Sequence, residues 1–326
     1  MKPHLVILSS CHLVVFVSII IPNWNGAVHL PTCLDSLRRQ TFRDFETIVA
    51  DNASADDSGE LLATQYPEVK VIALDRNLGF AGACNAGLRA ARGDIQILLN
   101  NDTETDPNWL AEVVAAFGRH PEAGAIASKM LLFDQRDTFH TAGDLYRTNG
   151  TPANRGVWQR DGGQFEEGPV FSACGGSAAY RKTMLDHIGL LDEDFFFSCE
   201  DVDLAWRAQL AGWRVVFAPR AVVYHKLAAT GGGTTASFYD GRNFIYLLIK
   251  DVPGSVWRKH WAEIAGGQCR LAWEALKAWR GPAARARLHG QLAGLLAIPK
   301  LLAKRRGVQA ARQVPDDYLF SILSKT

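Results

Sequence analysis

The chain has 326 residues, 48% of them hydrophobic, and a formal net charge of +1, which excludes a disordered polyelectrolyte and suits one large domain with an appendage, or two domains. The near-neutral sum hides a split: residues 1–253 carry 22 Lys/Arg against 30 Asp/Glu, and residues 254–326 carry 13 against 4. An acidic body therefore precedes a basic tail suited to an anionic partner or surface. Six scattered cysteines (Cys11, Cys33, Cys84, Cys174, Cys199 and Cys269) without a C-x-x-C pair argue against a disulfide framework or zinc site and favour a reducing compartment.

The opening "MKPHLVILSSCHLVVFVSIIIP" has one lysine, and Ser9, Ser10 and His12 break its apolar run. No small-residue cleavage pattern precedes Pro22, so it reads as neither a removed signal nor a membrane span. Residues 1–13 stay unassigned, 14–250 read as an α/β domain, and 251–326 as a basic amphipathic helical tail. Strands are expected at 14–21, 45–51, 69–74, 95–100 and 123–130, with helical patterns "AVHLPTCLDSLRRQ", "DSGELLATQY", "GACNAGLRAAR" and "PNWLAEVVAAFGRH" between them. Alternation of this kind predicts a mostly parallel sheet covered on both faces, with ligands at the carboxyl ends of its strands. Polar clusters fall at those ends: Pro22-Asn23-Trp24-Asn25, Asp51-Asn52, Asn77-Leu78-Gly79 and Asn100-Asn101-Asp102. Any one is an ordinary turn; four on one edge mark a ligand site. Residues 133–180 read as irregular, "WRVVFAPRAVVYH" as two short strands, and "ATGGGTT" (229–235) as a loop.

Three stretches carry candidate chemistry. In "LLNNDTETDP", Asp102 ends a strand and suits Mg²⁺ or Mn²⁺ if a substrate diphosphate supplies further ligands; the plain alternative is a turn that starts the next helix. His225 closes "AVVYH" and gains interest as a ligand only beside such a metal loop. In "FFFSCEDVDLAWR", Ser198-x-x-Asp201 fits a loose capping box and the acids suit a helix N-terminus, or the Phe195–Phe197 wall shelters a base.

Taken in order, "SIIIPNWNG", "IVADNASADDS", "NLGFAGACNAG", "ILLNNDTE", "SACGGSAAYRK", "GLLDEDFFFSCEDVDLAWRAQLAGWRV" and "VVYH" resemble the family 2 glycosyltransferases over about residues 15–250, in particular their rhamnosyltransferase-like branch acting on bacterial cell-surface glycans. The resemblance implies the Rossmann-like GT-A fold and an inverting, metal-dependent transfer from a nucleoside-diphosphate sugar (UDP- or dTDP-linked, dTDP-rhamnose among them) to a hydroxyl of a glycan or polyprenyl-diphosphate-linked glycan. It implies that Asp201 is the general base, with Glu200 positioning it or touching the acceptor. Pro22, Asn23, Asn25, Asp51, Asn52, Asn77, Gly79, Asn100, Asn101 and Asp102 would form the nucleotide-sugar site, with Asp51 accepting from the ring N–H of uracil or thymine. Asp102 and His225 would hold Mn²⁺ or Mg²⁺, and Gly175, Gly176 and Ser177 would border the acceptor. Asn100 departs from the family's D-x-D-type pattern, where many members have Asp, and either the metal or the ribose is its partner.

From Ser255 onward, Trp257, Trp261, Trp273 and Trp279 recur among Lys and Arg, and "LLAIPKLLAKRR" mixes apolar residues with a basic end. A packed helical lid or docking on anionic lipid both account for this; the interleaved apolar residues disfavour nucleic acid. The docking reading places the protein in the cytoplasm, peripheral on the cytoplasmic face of the inner membrane. Two other classes compete: a non-catalytic sugar-nucleotide or glycan-binding module, and a dinucleotide oxidoreductase, against which the lack of G-x-G-x-x-G after the first strand weighs.

Overall fold

The structure, a computed structural model, describes residues 15–226 and 233–325. The unassigned N-terminal stretch 1–13 and residues 229–232 of the Gly-rich loop lie outside the described residues.

The first half alternates as the sequence predicts. Strands β1 (Val17–Asn23), β2 (Phe45–Asp51), β3 (Lys70–Ala73) and β4 (Ile95–Leu99) pair in parallel in the order β4-β1-β2-β3. Val17, Ile19, Ile20 and Ile21 of β1 have no exposed surface, as expected of a central strand covered on both faces. Helices α1 (Leu30–Arg38), α2 (Ser58–Gln65), α3 (Gly79–Ala90) and α4 (Trp109–Arg119) lie in the intervals. In α1, Pro31 sits at the first turn, where its missing N–H costs nothing. Leu30, Cys33, Leu34 and Leu37 form its buried stripe.

The second half departs from a wholly parallel sheet. It adds β5 (Thr103–Thr105), β6 (Ala123–Leu132), β7 (Phe139–Thr141), β8 (Asp144–Tyr146), β9 (Pro152–Asn154), β10 (Gly168–Val170), β11 (Ser177–Arg181) and β12 (Arg214–His225). The order of the main sheet is β10-β12-β6-β11-β4-β1-β2-β3, and β11 runs antiparallel to both neighbours. Strand β11 has almost no periodic signature, because small Ala178 and Ala179 are buried on opposite faces. The stretch expected to form two short strands is one strand, β12. Its register against β6 shifts between Ala218 and Val222, and this irregularity absorbs Pro219, which has no N–H for the ladder.

Two apolar clusters cover the faces of the sheet, and a third joins the body to the C-terminal helices. These helices are α5 (Lys182–Ile188), α6 (Glu200–Leu210), α7 (Gly233–Lys250), α8 (Gly254–Lys277), α9 (Pro282–Leu296), α10 (Ile298–Ala310) and α11 (Asp316–Ser321). The third cluster packs Phe195, Trp206 and Leu247 with Val256, Leu301 and Leu319. Helices α7 and α9 approach backbone to backbone: a Cβ on Gly290 would stand 2.0 Å from the Phe238 carbonyl oxygen. Residues 251–325 therefore pack on the body. Among the described residues, no helix is long and apolar enough to cross a membrane.

Candidate active site

All four polar clusters reach the same sheet edge and contribute to one cavity of about 1140 Å³. At one end Asn side chains knit the loops together. The Asn23 N–H donates to Asp51 Oδ1 (2.9 Å), and Asn23 Oδ1 accepts from Asn101 Nδ2 (2.7 Å). Asn52 Nδ2 donates to Asn77 Oδ1 (2.9 Å), and Asn52 Oδ1 accepts the Leu78 amide (2.8 Å). Asn25 stands at φ 51° and accepts the Ala55 amide (2.8 Å). Pro22, Asn23, Asn25, Asn52, Asn77, Gly79, Asn100 and Asn101 line the cavity. Asp51 stands behind that lining, holding Asn23 and the Ser54 hydroxyl (2.6 Å).

Beneath Asn100 lie Asp102 and His225, both buried. His225 Nε2 is 3.1 Å from Asp102 Oδ1 and 3.3 Å from Asn100 Nδ2. Asp102 Oδ1 and Asn100 Oδ1 are buried and accept no hydrogen bond. An unpartnered carboxylate oxygen facing an imidazole nitrogen fits a divalent cation. Two neighbouring ligands of an octahedral ion at roughly 2.1 Å stand about 3 Å apart, as Asp102 Oδ1 and His225 Nε2 do. Carboxylate and imidazole, joined by the oxygens of a bound diphosphate, suit Mg²⁺ or Mn²⁺.

Helix α6 brings the acidic pair to the same cavity. The loose capping box does not form: Ser198 precedes the helix and its hydroxyl donates to Asp240 Oδ1 (2.7 Å), while Cys199 at the N-cap makes no side-chain cap. Phe196, Ser198 and Cys199 all have φ between 60° and 69°, a cluster of strained residues of the kind held only where the surroundings over-determine them. Three contacts do so. Asn243 of α7 donates from Nδ2 to the carbonyls of Phe195, Phe197 and Ser198 (3.0, 2.9 and 2.7 Å). Arg242 donates to the carbonyls of Asp194 and Phe195. On the other side, the Phe196 carbonyl accepts the Phe80 amide (2.6 Å), and a Cβ on Gly79 would stand 2.4 Å from that oxygen. Gly79 is thus required for this close approach. Phe196 and Phe197 line the cavity, whereas Phe195 belongs to the core.

Asp201 Oδ2 accepts the Gly175 amide (2.7 Å) and Oδ1 accepts the Val202 amide (2.8 Å). Burial nonetheless outweighs these bonds and raises its pKa above the usual carboxylate value. Burial and the Asp201 charge push Glu200 well above its ordinary value, and Glu200 Oε2 has no hydrogen-bond partner. Gly175 and Gly176 line the cavity, but Ser177 turns into the core, its hydroxyl on Ser128 (2.9 Å). Asp203 faces inward, paired with Arg207 (2.9 Å) and Lys250.

The sequence reading missed three residues here. Asn243 holds the strained loop. Asp144 of β8 lines the cavity with an oxygen within 4.8 Å of ligand atoms of Asp201 and Cys174, and burial with the Asp201 charge raises it to about 8. His140 of β7 lies against His225. Asp144 and His140 fall in the stretch read as irregular, where no pattern marked them.

A mostly parallel sheet with a polar cavity at its carboxyl edge and a carboxylate–imidazole pair beneath it defines a nucleotide-sugar transferase type of architecture. The family described as Glycosyl transferase family 2 matches residues 18–189; the chain belongs to this family and is a glycosyltransferase. It is 28% identical over 255 residues to the N-acetylglucosaminyl-diphospho-decaprenol L-rhamnosyltransferase of Mycobacterium tuberculosis, covering 71% of this chain and 82% of that one. It is 29% identical over 231 residues to the O-antigen biosynthesis protein RfbC of Myxococcus xanthus, covering 66% of this chain and 17% of that much longer protein. Among solved structures, the Pyrobaculum calidifontis mannosyltransferase PcManGT, in complex with GDP-Man and Mn²⁺, superposes with a TM-score of 0.54 at 19% identity, over 94% of this chain and 78% of that one. S. aureus TarS 1-349 in complex with UDP gives 0.57 at 17% identity, over 91% and 90%. These structural likenesses bear on the fold, a mixed α/β GT-A-like sheet with C-terminal helices.

Proposed function

We propose that the protein is an inverting, divalent-metal-dependent glycosyltransferase. It moves a sugar from a UDP- or dTDP-linked donor, dTDP-rhamnose being the first candidate, to a hydroxyl of a lipid-linked glycan in cell-surface polysaccharide synthesis. Asp201 carries this reading: a carboxylate with a raised pKa lines the same cavity as the Asn-rich nucleotide edge. The rhamnosyltransferase likeness supports the donor and the polyprenyl-diphosphate-linked acceptor.

In the proposed reaction the acceptor hydroxyl gives its proton to Asp201 as its oxygen bonds to C1 of the donor sugar. The bond from C1 to the diphosphate oxygen breaks on the opposite side, and the electron pair leaves with the nucleoside diphosphate. Gly175 and Val202 amides hold the Asp201 carboxylate in place, and Phe196 and Phe197 limit water around it. Asp102 and His225 would hold a Mn²⁺ or Mg²⁺ ion. That ion would neutralise charge on the leaving diphosphate. The polar loops from Pro22 to Asn101 would orient the nucleotide.

A thermal-shift screen of UDP-, dTDP- and GDP-sugars with and without Mn²⁺ tests the donor, since a true donor raises the melting temperature by mass action. Asp102→Ala should weaken UDP or dTDP binding at least tenfold in Mn²⁺ and change little in EDTA. Equal wild-type affinity in the two media rejects the metal.

The acceptor's lipid suggests where the protein works. Of thirteen exposed large hydrophobic residues among the described ones, eight lie in the C-terminal helices and their connections: Trp261, Trp273, Leu276, Trp279, Leu292, Leu295, Leu296 and Leu302. Exposed Arg258, Arg270, Lys277, Arg280 and Arg285 accompany them. Tryptophan favours the headgroup region, and each basic residue near an anionic surface contributes about 1 kcal/mol. We therefore place this face on the cytoplasmic leaflet. Because residues 251–325 pack on the body, truncation is a poor test. Instead, the full chain should float with phosphatidylglycerol vesicles and sink when Trp261, Trp273 and Trp279 are all changed to Ser, or in high salt. Unchanged flotation of the triple variant removes the assignment.

A further inference from the structure

His140 lines the cavity and lies against His225, the two rings stacked with centroids 4.9 Å apart and planes at 26°. Their Nδ1 atoms are 3.1 Å apart. Two imidazole nitrogens at that distance need one proton between them, so one ring donates and the other accepts. Two arrangements satisfy this.

In the closed arrangement His140 donates. His225 then carries its proton on Nε2, 3.1 Å from Asp102 Oδ1, leaving no lone pair for a cation. In the open arrangement His225 donates from Nδ1, and its Nε2 lone pair faces Asp102 Oδ1. A lone pair against a carboxylate oxygen is repulsive unless a cation lies between them. As placed, the two outer amides favour opposite arrangements, Asn100 the open one and Asn154 the closed one. Asn100 Nδ2, 3.3 Å from His225 Nε2, favours the lone pair there. Asn154 Nδ2 lies 3.4 Å from His140 Nε2, and rotation of that amide turns its oxygen to the ring to accept the proton that the open arrangement puts on His140. The His225–His140 bond is kept in both arrangements, and only the open one leaves His225 Nε2 for a metal.

We infer that His140 is the positioning residue of the metal centre: its Nδ1 accepts the His225 Nδ1 proton and so leaves the His225 Nε2 lone pair for a divalent cation, with Asn154 accepting from His140 in turn. This rests on the proposal that Asp102 and His225 hold the ion. Metal-binding histidines commonly donate their second ring N–H to a fixed acceptor. Here that acceptor is a neutral imidazole, so the ring is oriented without adding negative charge.

The test is Mn²⁺ affinity of the full chain in the presence of UDP, read from the electron paramagnetic resonance signal of free Mn²⁺. His140→Phe keeps the stacked ring and removes the acceptor; it should weaken Mn²⁺ binding about 10- to 100-fold. His140→Asn places an amide oxygen where Nδ1 stands and should restore most of the affinity. Asn154→Leu, at a half-buried position, should weaken binding a few-fold and serves if His140→Phe does not fold. Wild-type affinity in His140→Phe, or in Asn154→Leu where that variant carries the test, overturns the inference while Asp102→Ala still loses the ion. If the wild-type chain binds no Mn²⁺, the metal proposal itself fails and His140 has no centre to position.

Discussion

Asp201→Asn is expected to lower sugar transfer about a hundred- to ten-thousand-fold at saturating donor and acceptor, the usual loss for a general base, with UDP or dTDP affinity nearly unchanged. The substitution is isosteric, and the one oxygen of the new amide can still accept either the Gly175 amide, which bonds Asp201 Oδ2 at 2.7 Å, or the Val202 amide, which bonds Oδ1 at 2.8 Å, while the other of these two bonds is lost. What disappears is the ability to take a proton. The pH dependence supplies a second readout. Only the ionised form of Asp201 is a base, so wild-type kcat rises as pH climbs through its pKa. Burial puts that pKa above the usual carboxylate range, so this acid limb should lie above the range of an exposed aspartate and be absent from the residual activity of the variant. Isothermal titration of UDP and dTDP beside the rate profile separates lost chemistry from lost binding. Near-normal turnover would return Asp201 to the role of a helix-start residue and move the search for a base to Glu200 or Asp144.

The first half of the fold was legible because its physics is local. A continuous apolar run such as Ile19-Ile20-Ile21 has few other uses than a strand covered on both faces, and its polar end then falls at the ligand edge. The same logic brought Asn23, Asn52, Asn77 and Asn100 to one cavity. Finer roles were less legible, because an amide looks the same in sequence whether it faces a ligand or a neighbouring loop. Asn23 spends its side chain on Asp51 and Asn101. Gly79 answers to the Phe196 carbonyl, more than a hundred positions away. Asp144 and His140 lie on strands too short to show a period, and their meaning comes from partners on β12 and α6. The tail read as either lid or docking surface because its helices carry both a packed and an exposed apolar set: Leu301 and Leu319 are buried while Trp261 and Trp273 are exposed.

Lys250→Met is expected to cost about 3–5 kcal/mol of stability, the range for removing one partner of a buried ion pair, and to lower the melting temperature by on the order of 10 °C. The Lys250 side chain is only 4% exposed and bridges Asp192 (2.7 Å) and Asp203, which has no exposed surface. Both carboxylates lie on the approach to the active site: Asp192 precedes the strained loop, and Asp203 shares α6 with Asp201. Burial alone would raise them; Lys250 outweighs it, helped by Arg207 at Asp203 and Lys304 at Asp192, and holds both below the usual carboxylate range. A depressed carboxylate contributes stability that is present above its unfolded pKa and lost as pH falls through the folded one. Without Lys250, Arg207 alone faces the burial of Asp203 and the neighbouring Asp251, whose own pKa burial and Asp203 already push far up. Asp203 should then rise and bind a proton more readily in the folded state than in the unfolded chain. The sign of its pH dependence reverses, so the stability gap between wild type and Lys250→Met should be widest near neutral pH and narrow toward pH values of about 4. Lys300→Ala is the control, since Lys300 meets Asp194 (2.7 Å) with 59% of its side chain exposed and such pairs contribute about 0–1 kcal/mol. Denaturant melts of the three proteins from acid to neutral pH measure both effects. A gap that stays constant across that range would mean that Lys250 acts through packing and not through the charges it pairs.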